Sequence, residues 1–253
     1  PDVDTSSEFE DDVDDAPSQH CGLSQMLLSL GTTLMGIVPP TRGTGLATNA
    51  STHRQRSMSM KKEDEVRQLT NVWQTQILPR WETLVRKGVM PAEVRKTWLK
   101  GIPATVRREV WPRAIGNKLV LTKELYEINL ARAKQSLERH AASSEHGSTA
   151  ANPAFGREAT VAHIDVDLPR TFPDMAFFKE AAGENGISAM REVLGAYALY
   201  RPDVGYVQGM SYLAYTLLLY IEDPMQAFVC LANLLNTHSF VYLFRMDMPE
   251  VRR

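Results

Sequence analysis

Cysteine is nearly absent from this chain of 253 residues, which contains only Cys21 and Cys230. Two distant cysteines without CxxC spacing cannot form the disulfide framework of a small secreted domain, and they favour a reducing compartment. The six histidines do not cluster with the cysteines, so the sequence indicates no zinc module. The sequence also lacks a Walker phosphate loop, a GxSxG nucleophile elbow and an HExxH zinc helix. The sequence therefore lacks the motifs that usually accompany catalysis by a chain on its own.

Charge is missing from one long segment. Between Val204 and Phe244 there is no Lys or Arg, and the only acids are Glu222 and Asp223. Eighteen uncharged residues at 204–221 would be long enough for a membrane hairpin. Polar residues interrupt this run and no basic flank sets an orientation, so burial in a helical bundle is the favoured interpretation and no transmembrane segment is predicted. The interrupting side chains are Gln208, Ser211 and Thr216.

The charges that are present are unevenly distributed. The net charge of −2 argues against bulk nucleic-acid binding, but residues 1–52 carry a net charge of −7 and residues 53–113 a net charge of +8. The basic segment contains four tryptophans, which suits either a nucleic-acid surface or core anchors among solvated helix faces. The second interpretation is favoured because no glycine-rich or aromatic-repeat signature accompanies the bases, and no nucleic-acid partner is expected. The tryptophans are Trp73, Trp81, Trp98 and Trp111.

The distribution of charge divides the sequence into two regions of different composition. Residues 1–60 are predicted to form an acidic, mostly disordered tail and linker. A short amphipathic segment at 23–38 interrupts the tail, and it is expected either to pack on its own domain or to bind a partner. Residues 61–253 are predicted to form the folded domain. The opposite charges further suggest that the tail folds over the basic region, an attraction that salt would weaken.

Helical spacing dominates the folded region and predicts an all-α fold. Thr122 is a plausible N-cap for a helix whose apolar residues recur every three or four positions. A second stripe begins at Ile187 and should end at Arg201, before Pro202. Asp223–Pro224 predicts a third helix start, with proline at the first helical position. No alternating strand pattern competes over any length.

One polar segment, residues 163–174, has the sequence HIDVDLPRTFPD and allows three interpretations. If the segment is extended, one face carries the side chains of His163, Asp165 and Asp167, which could then bind a metal ion. Three ligands without a fourth would make a weak site. The acids could instead lie at a turn and pair with Arg170. Arg170 could also be presented to a partner, because prolines on both sides stiffen its backbone.

Three short motifs, in this order, resemble those of the TBC domain, the Rab-GTPase-activating family. The RxxxW motif runs from Arg107 to Trp111 in KGIPATVRREVW, IxxDxxR lies within IDVDLPR, and YxQ lies within YVQG. Their order and spacing are similar to those of the family. The sequence around them resembles that of the branch linked to recycling endosomes and autophagy. The matched positions of the second and third motifs are Ile164, Asp167, Arg170, Tyr206 and Gln208.

The resemblance implies a GTPase-activating protein that supplies an arginine finger and a glutamine finger in trans to a GTP-bound Rab GTPase, and so regulates vesicle trafficking. Arg170 and Gln208 would be these catalytic side chains, and Arg107 and Trp111 would hold the fold. No independent turnover, metal or cofactor of its own is expected, because GTP and Mg²⁺ belong to the partner. The residues expected to orient the fingers or contact the Rab are Ile164, Asp167, Tyr206 and Gly209. A residue-based alternative for Gln208 is a buried amide that caps backbone groups.

The family fold is a V-shaped pair of helical subdomains that continues through several helices beyond the end of this sequence. The expectation is therefore a TBC domain at 61–253 with its N-terminal subdomain complete and its second subdomain truncated. A catalytically silent Rab-binding or scaffold module is the alternative function. The resemblance also implies a cytoplasmic protein, recruited to endosomal or other vesicle membranes as a peripheral component through its partners.

Overall fold

A computed structural model describes residues 49–85, 91–145, 158–171, 183–237 and 244. Every described element is helical, so the prediction of an all-α fold is confirmed for this part of the chain. The predicted segment at 23–38 and the rest of the acidic tail before residue 49 lie outside the described residues. In chain order the helices are α1 (Asn49–Val72), α2 (Trp81–Val85), α3 (Ala92–Lys100), α4 (Ala104–Ile115), α5 (Lys123–Glu145), α6 (Ala162–Asp167), α7 (Gly183–Tyr200), α8 (Met210–Leu218) and α9 (Pro224–Leu235).

Helix α1 begins earlier than the sequence predicts. Its first residue is Asn49, whereas the linker was expected to continue to residue 60. Residues 46–78 contain no glycine or proline, so no backbone signal stops the helix from extending towards its N-terminus. Regular α-helix is interrupted around Pro79, by a π-helical turn at Trp73–Ile77 followed by a 3₁₀ turn at Leu78–Arg80. Proline removes one backbone donor and clashes with the preceding turn, which ends regular α-helix here.

The core is built around α7. This helix packs against α5, α8 and α9, and also against the short α6. Gly195 of α7 lies close to α5, since an added Cβ atom there would lie 3.1 Å from the Cβ atom of Ala133. Glycine at this position therefore permits a helix contact that a larger side chain would push apart.

The apolar helices α8 and α9 lie inside the bundle, as the sequence predicted. All nine residues from Ala227 to Leu235 are buried, and α9 packs against α4, α5, α7 and α8. Helix α9 begins as predicted, because the Asp223 carboxylate accepts a 3.1 Å hydrogen bond from the Met225 amide. Within the described residues, no helix combines the length and apolar character that a membrane crossing requires.

The local predictions for the other helices are largely confirmed. Thr122 caps α5 by accepting a 3.3 Å hydrogen bond from the Leu125 amide, and α7 ends at Tyr200, before Pro202. The prediction was wrong at Ile187, which leaves 39% of its surface exposed near the start of α7. All four tryptophans are buried, which confirms the core interpretation of the basic segment.

Candidate functional site

The first predicted motif forms a cluster of a cation and two rings. The Arg107 guanidinium lies 5.6 Å from the ring centre of Trp111 and 5.0 Å from that of Tyr220. It also donates hydrogen bonds to the Ile102 carbonyl, at 2.9 Å, and to the Tyr220 hydroxyl, at 2.6 Å. The two rings meet edge to face at 4.9 Å. This cluster ties the start of α4 to the turn that follows α8.

The second motif is helical rather than extended. Residues Ala162–Asp167 form α6, and Leu168–Arg170 continue as a 3₁₀ turn. Burial of Ile164, which is 1% exposed, fastens this segment to the core and favours the helix. The extended conformation that the metal interpretation requires is therefore absent, and His163, Asp165 and Asp167 do not share a face.

The polar side chains of this segment are accordingly separated. His163 is exposed, Asp165 pairs with Arg191 across 2.6 Å, and Asp167 is only 4% exposed. Among the side chains that the structure describes, no group of three His, Cys, Asp or Glu residues is arranged to hold a metal ion. The ion pair of the turn interpretation is present between Arg170 and Asp167, whereas Asp165 pairs with an arginine of α7.

Asp167 joins the second and third motifs. One of its carboxylate oxygens, Oδ1, accepts a 2.7 Å hydrogen bond from Arg170 Nε and a further bond from Nη2 of the same guanidinium. The other oxygen, Oδ2, accepts a 2.6 Å hydrogen bond from the Tyr206 hydroxyl. The Arg170 side chain is 59% exposed, whereas that of Asp167 is 6% exposed. A buried carboxylate therefore holds one edge of an arginine whose remainder faces outward.

Tyr206 is held at both its backbone and its phenol. Its amide donates a 2.7 Å hydrogen bond to the Thr160 hydroxyl, and its ring is buried. Burial is the largest cause of its raised pKa, and the hydrogen bond to Asp167 raises the pKa further. The nearby Ser211 hydroxyl acts on this pKa in the opposite direction. The phenol is therefore protonated at neutral pH and able to donate to Asp167.

Gln208 lies in an exposed turn between Tyr206 and the start of α8. Glycines on both sides have positive φ, 67° at Gly205 and 98° at Gly209, a conformation that side chains with a Cβ atom rarely adopt. Gly209 is also the N-cap of α8. Because the Gln208 side chain is exposed, the interpretation as a buried amide is wrong.

Three polar contacts at these motifs were not anticipated from the sequence. Thr160 precedes the second motif and carries no local signal of its contact with Tyr206. Tyr220 lies in the apolar run, where a tyrosine is expected to be core. Ser211 lies 2.9 Å from Thr171, measured between the hydroxyl oxygens, and this pairing spans 40 residues. Only the folded arrangement reveals such pairs.

Residues 104–253 match the family model of the Rab-GTPase-TBC domain, which is more than half of the chain. The chain belongs to the Rab-GTPase-TBC domain family. The resemblance inferred from the three motifs is thereby confirmed at the level of the family. The roles of individual residues in this TBC domain remain predictions.

Relatives of this TBC domain are found in several vertebrates. TBC1 domain family member 12 from Mus musculus is 40% identical over 187 residues, which cover 74% of this chain and 26% of the mouse protein. TBC1 domain family member 14 from Homo sapiens is 41% identical over 190 residues, covering 73% and 26% respectively. The chain thus spans about a quarter of the length of these relatives.

A solved structure of a Chlamydomonas flagellar RabGAP TBC domain is also similar to this chain. The two share 22% sequence identity and superpose with a TM-score of 0.47. The similarity covers 75% of this chain and 60% of the Chlamydomonas chain.

Proposed function

We propose that this TBC domain activates a Rab-family GTPase by supplying Arg170 and Gln208 to GTP bound on the partner. The observation that carries the proposal is the shared Asp167 carboxylate, which binds Arg170 through one oxygen and Tyr206 through the other. One buried group thereby connects the two motifs while both candidate catalytic side chains face outward.

Arg170 is suited to a transferring phosphoryl group. Its guanidinium has five N–H donors in a planar fork, and two of them are committed to Asp167. The other three can reach phosphate oxygens in the same plane. Asp167 restricts the side chain before a partner arrives, so less conformational entropy is lost when the complex forms.

Gln208 is suited to orienting the water that attacks the phosphate. An amide can accept from water and donate to a phosphate oxygen at once. The flanking glycines, Gly205 and Gly209, let the chain turn sharply on both sides of it. Tyr206, anchored to Asp167 and Thr160, fixes the turn at its base.

In this proposal, GTP hydrolysis requires no cofactor or metal ion bound by this chain itself. Small GTPases hydrolyse GTP slowly because charge that develops on the phosphoryl group is poorly compensated, and an arginine supplied in trans accelerates the step by about 10³- to 10⁵-fold. This corresponds to about 4–7 kcal/mol of barrier. The partner carries the GTP and the Mg²⁺. Such a protein acts in the cytoplasm on vesicle traffic and reaches membranes through its partners.

The test is single-turnover GTP hydrolysis by a panel of GTP-loaded Rab GTPases, with and without this chain. We expect stimulation by the unaltered chain and a loss of at least about 10³-fold in Arg170→Lys, since lysine keeps the charge but lacks the planar fork. Gln208→Ala should also abolish stimulation. Matched controls are Arg95→Ala and Gln135→Ala, both exposed positions on other helices, which should stimulate normally.

Two outcomes would contradict the proposal in different ways. Full stimulation by Arg170→Lys or Gln208→Ala would show that these side chains are not the catalytic pair. Binding of GTP-loaded Rab without stimulation by the unaltered chain would favour the silent binding or scaffold module instead.

A further inference from the structure

Three hydrogen bonds among four residues beneath the candidate site, together with the backbone from Tyr206 to Ser211, form a ring. The Thr171 hydroxyl donates a 2.8 Å hydrogen bond to the Asp167 carbonyl and lies 2.9 Å from the Ser211 hydroxyl. The Tyr206 phenol donates to the Asp167 carboxylate, and the backbone from Tyr206 to Ser211 completes the ring. Because the single Thr171 proton goes to Asp167, Ser211 donates its own proton to Thr171.

The ring is closed off from solvent. Ser211 is 1% exposed and Thr171 is 7% exposed, while Tyr206 and Asp167 are each 4% exposed. Hydroxyl groups at such depth lose their water partners, so a displaced member would leave neighbouring groups unsatisfied. The ring therefore favours one arrangement of its members over nearby alternatives.

Ser211 differs in this respect from Thr216, the buried threonine of α8. Thr216 donates a 2.7 Å hydrogen bond to the Tyr212 carbonyl, one turn earlier in the same helix. That local bond is the usual way in which a helical hydroxyl is satisfied. Ser211 is instead paired with Thr171, 40 residues earlier in the chain. Its hydroxyl connects separate segments rather than serving its own helix.

The members of the ring lie next to both candidate catalytic residues in the chain. Thr171 directly follows Arg170, and Ser211 is the third residue after Gln208, in the first turn of α8. The bonds of Tyr206 with Asp167 and Thr160 join these segments on the N-terminal side of Gln208. The pair formed by Thr171 and Ser211 joins them on the C-terminal side of Gln208, so the turn that carries Gln208 is held at both ends.

We propose that Ser211 is a positioning residue that sets the placement of Gln208 relative to Arg170, an inference that rests on the proposed function. Ser211 contacts no substrate and acts through the ring. Removing its hydroxyl frees the start of α8 to shift, and displacements of about 1 Å in a catalytic constellation lower rates by up to about 10²-fold.

The experiment compares Ser211→Ala with the unaltered chain in single-turnover GTP hydrolysis by a stimulated Rab GTPase. We expect the maximal stimulated rate to fall about 10-fold or more, while the half-saturating concentration of the chain changes by less than about twofold. Thr171→Val should behave in the same way, whereas Thr171→Ser keeps the hydroxyl and should restore most of the rate. Ser136→Ala, at a buried serine of α5, is the matched control and should leave the rate unchanged.

The outcomes separate this inference from the function on which it rests. If Arg170→Lys is inactive and Ser211→Ala retains the full rate, the proposed function stands and the positioning role of Ser211 is wrong. Equal losses of the stimulated rate in Thr171→Ser and Thr171→Val would also overturn the inference. Serine keeps the hydroxyl and valine does not, so equal losses would mean that the hydroxyl has no role.

Amide hydrogen exchange tests the same point without a GTPase. Loss of the ring in Ser211→Ala should speed exchange over residues 206–212 by about tenfold while leaving α5 unchanged. Unaltered exchange over residues 206–212 would overturn the inference even if the unaltered chain stimulated no GTPase.

Discussion

The phenol of Tyr206 donates a 2.6 Å hydrogen bond to the Asp167 carboxylate, 39 residues earlier in the chain. The same carboxylate receives the guanidinium of Arg170 on its other oxygen. Both of its oxygens are thus used although the group is only 4% exposed. A buried carboxylate would be costly without such partners, so the three side chains depend on one another.

The first prediction concerns this hydrogen bond. Tyr206→Phe keeps the ring and removes the donor, so we expect a loss of about 1.5–3 kcal/mol in the free energy of unfolding, measured in urea. Tyr126→Phe is the matched control. The hydroxyl of Tyr126 is buried and makes no hydrogen bond with other described residues, so its removal should cost nothing or stabilise the fold. Equal losses in the two variants would mean that the contact with Asp167 contributes nothing specific.

The second prediction concerns the RxxxW motif. Arg107→Lys loses the fork that bonds Ile102 and Tyr220, and it replaces the guanidinium that lies over the Trp111 ring. We expect about 1–3 kcal/mol of lost stability in urea unfolding. GTPase stimulation by the folded fraction should remain unchanged.

The neighbouring arginine provides the control for this comparison. Arg108 is exposed and pairs with Glu222 at 3.6 Å on the surface, so Arg108→Lys should change stability by less than about 0.5 kcal/mol. If Arg107→Lys were equally mild, or if it abolished stimulation without loss of stability, the predicted role in holding the fold would be wrong.

The third prediction concerns a strained turn between α4 and α5. Val120 has a φ of 51° and is 76% exposed. Hydrogen bonds of Asn117 with Leu121, at 2.9 Å in both directions, hold the turn in this conformation. A left-handed conformation costs a residue with a Cβ atom about 1–2 kcal/mol, whereas glycine adopts it freely.

Val120→Gly should therefore raise the free energy of unfolding by about 1 kcal/mol, after the greater freedom of glycine in the unfolded chain is included. Thermal and urea unfolding both measure this change. Val66→Gly is the control, because this exposed valine lies within α1 and glycine should lower stability there. A decrease in both variants would show that the turn stores no strain.

Local chemistry explains which helices the sequence predicted well. The caps at Thr122 and Asp223 and the stop before Pro202 involve residues within a few positions of each other, so they can be read directly from the chain. The start of α1 at Asn49 was missed because serine and threonine there were interpreted as linker composition. A segment without glycine or proline can continue an adjoining helix despite that composition.

The IxxDxxR segment was predicted less well for a different reason. Its aspartates and prolines favour a turn or an extended chain locally, yet residues 162–167 are helical. Burial of Ile164 and Leu168 against the core outweighs those local preferences. The same packing buries Asp167 and leaves Arg170 exposed, a distinction that the sequence pattern alone does not make.

The sequence by itself determined the helical class, the apolar character of α8 and α9, and the order of the three family motifs. These depend on periodicity, composition and residue identity, which are properties of short segments. The tertiary structure decided that Asp167 serves both Arg170 and Tyr206, and that Ser211 meets Thr171. Those pairs are brought together by the packing of α6 and α8 on α7. Partners about 40 residues apart are selected by the shape of the whole core, which no short segment encodes.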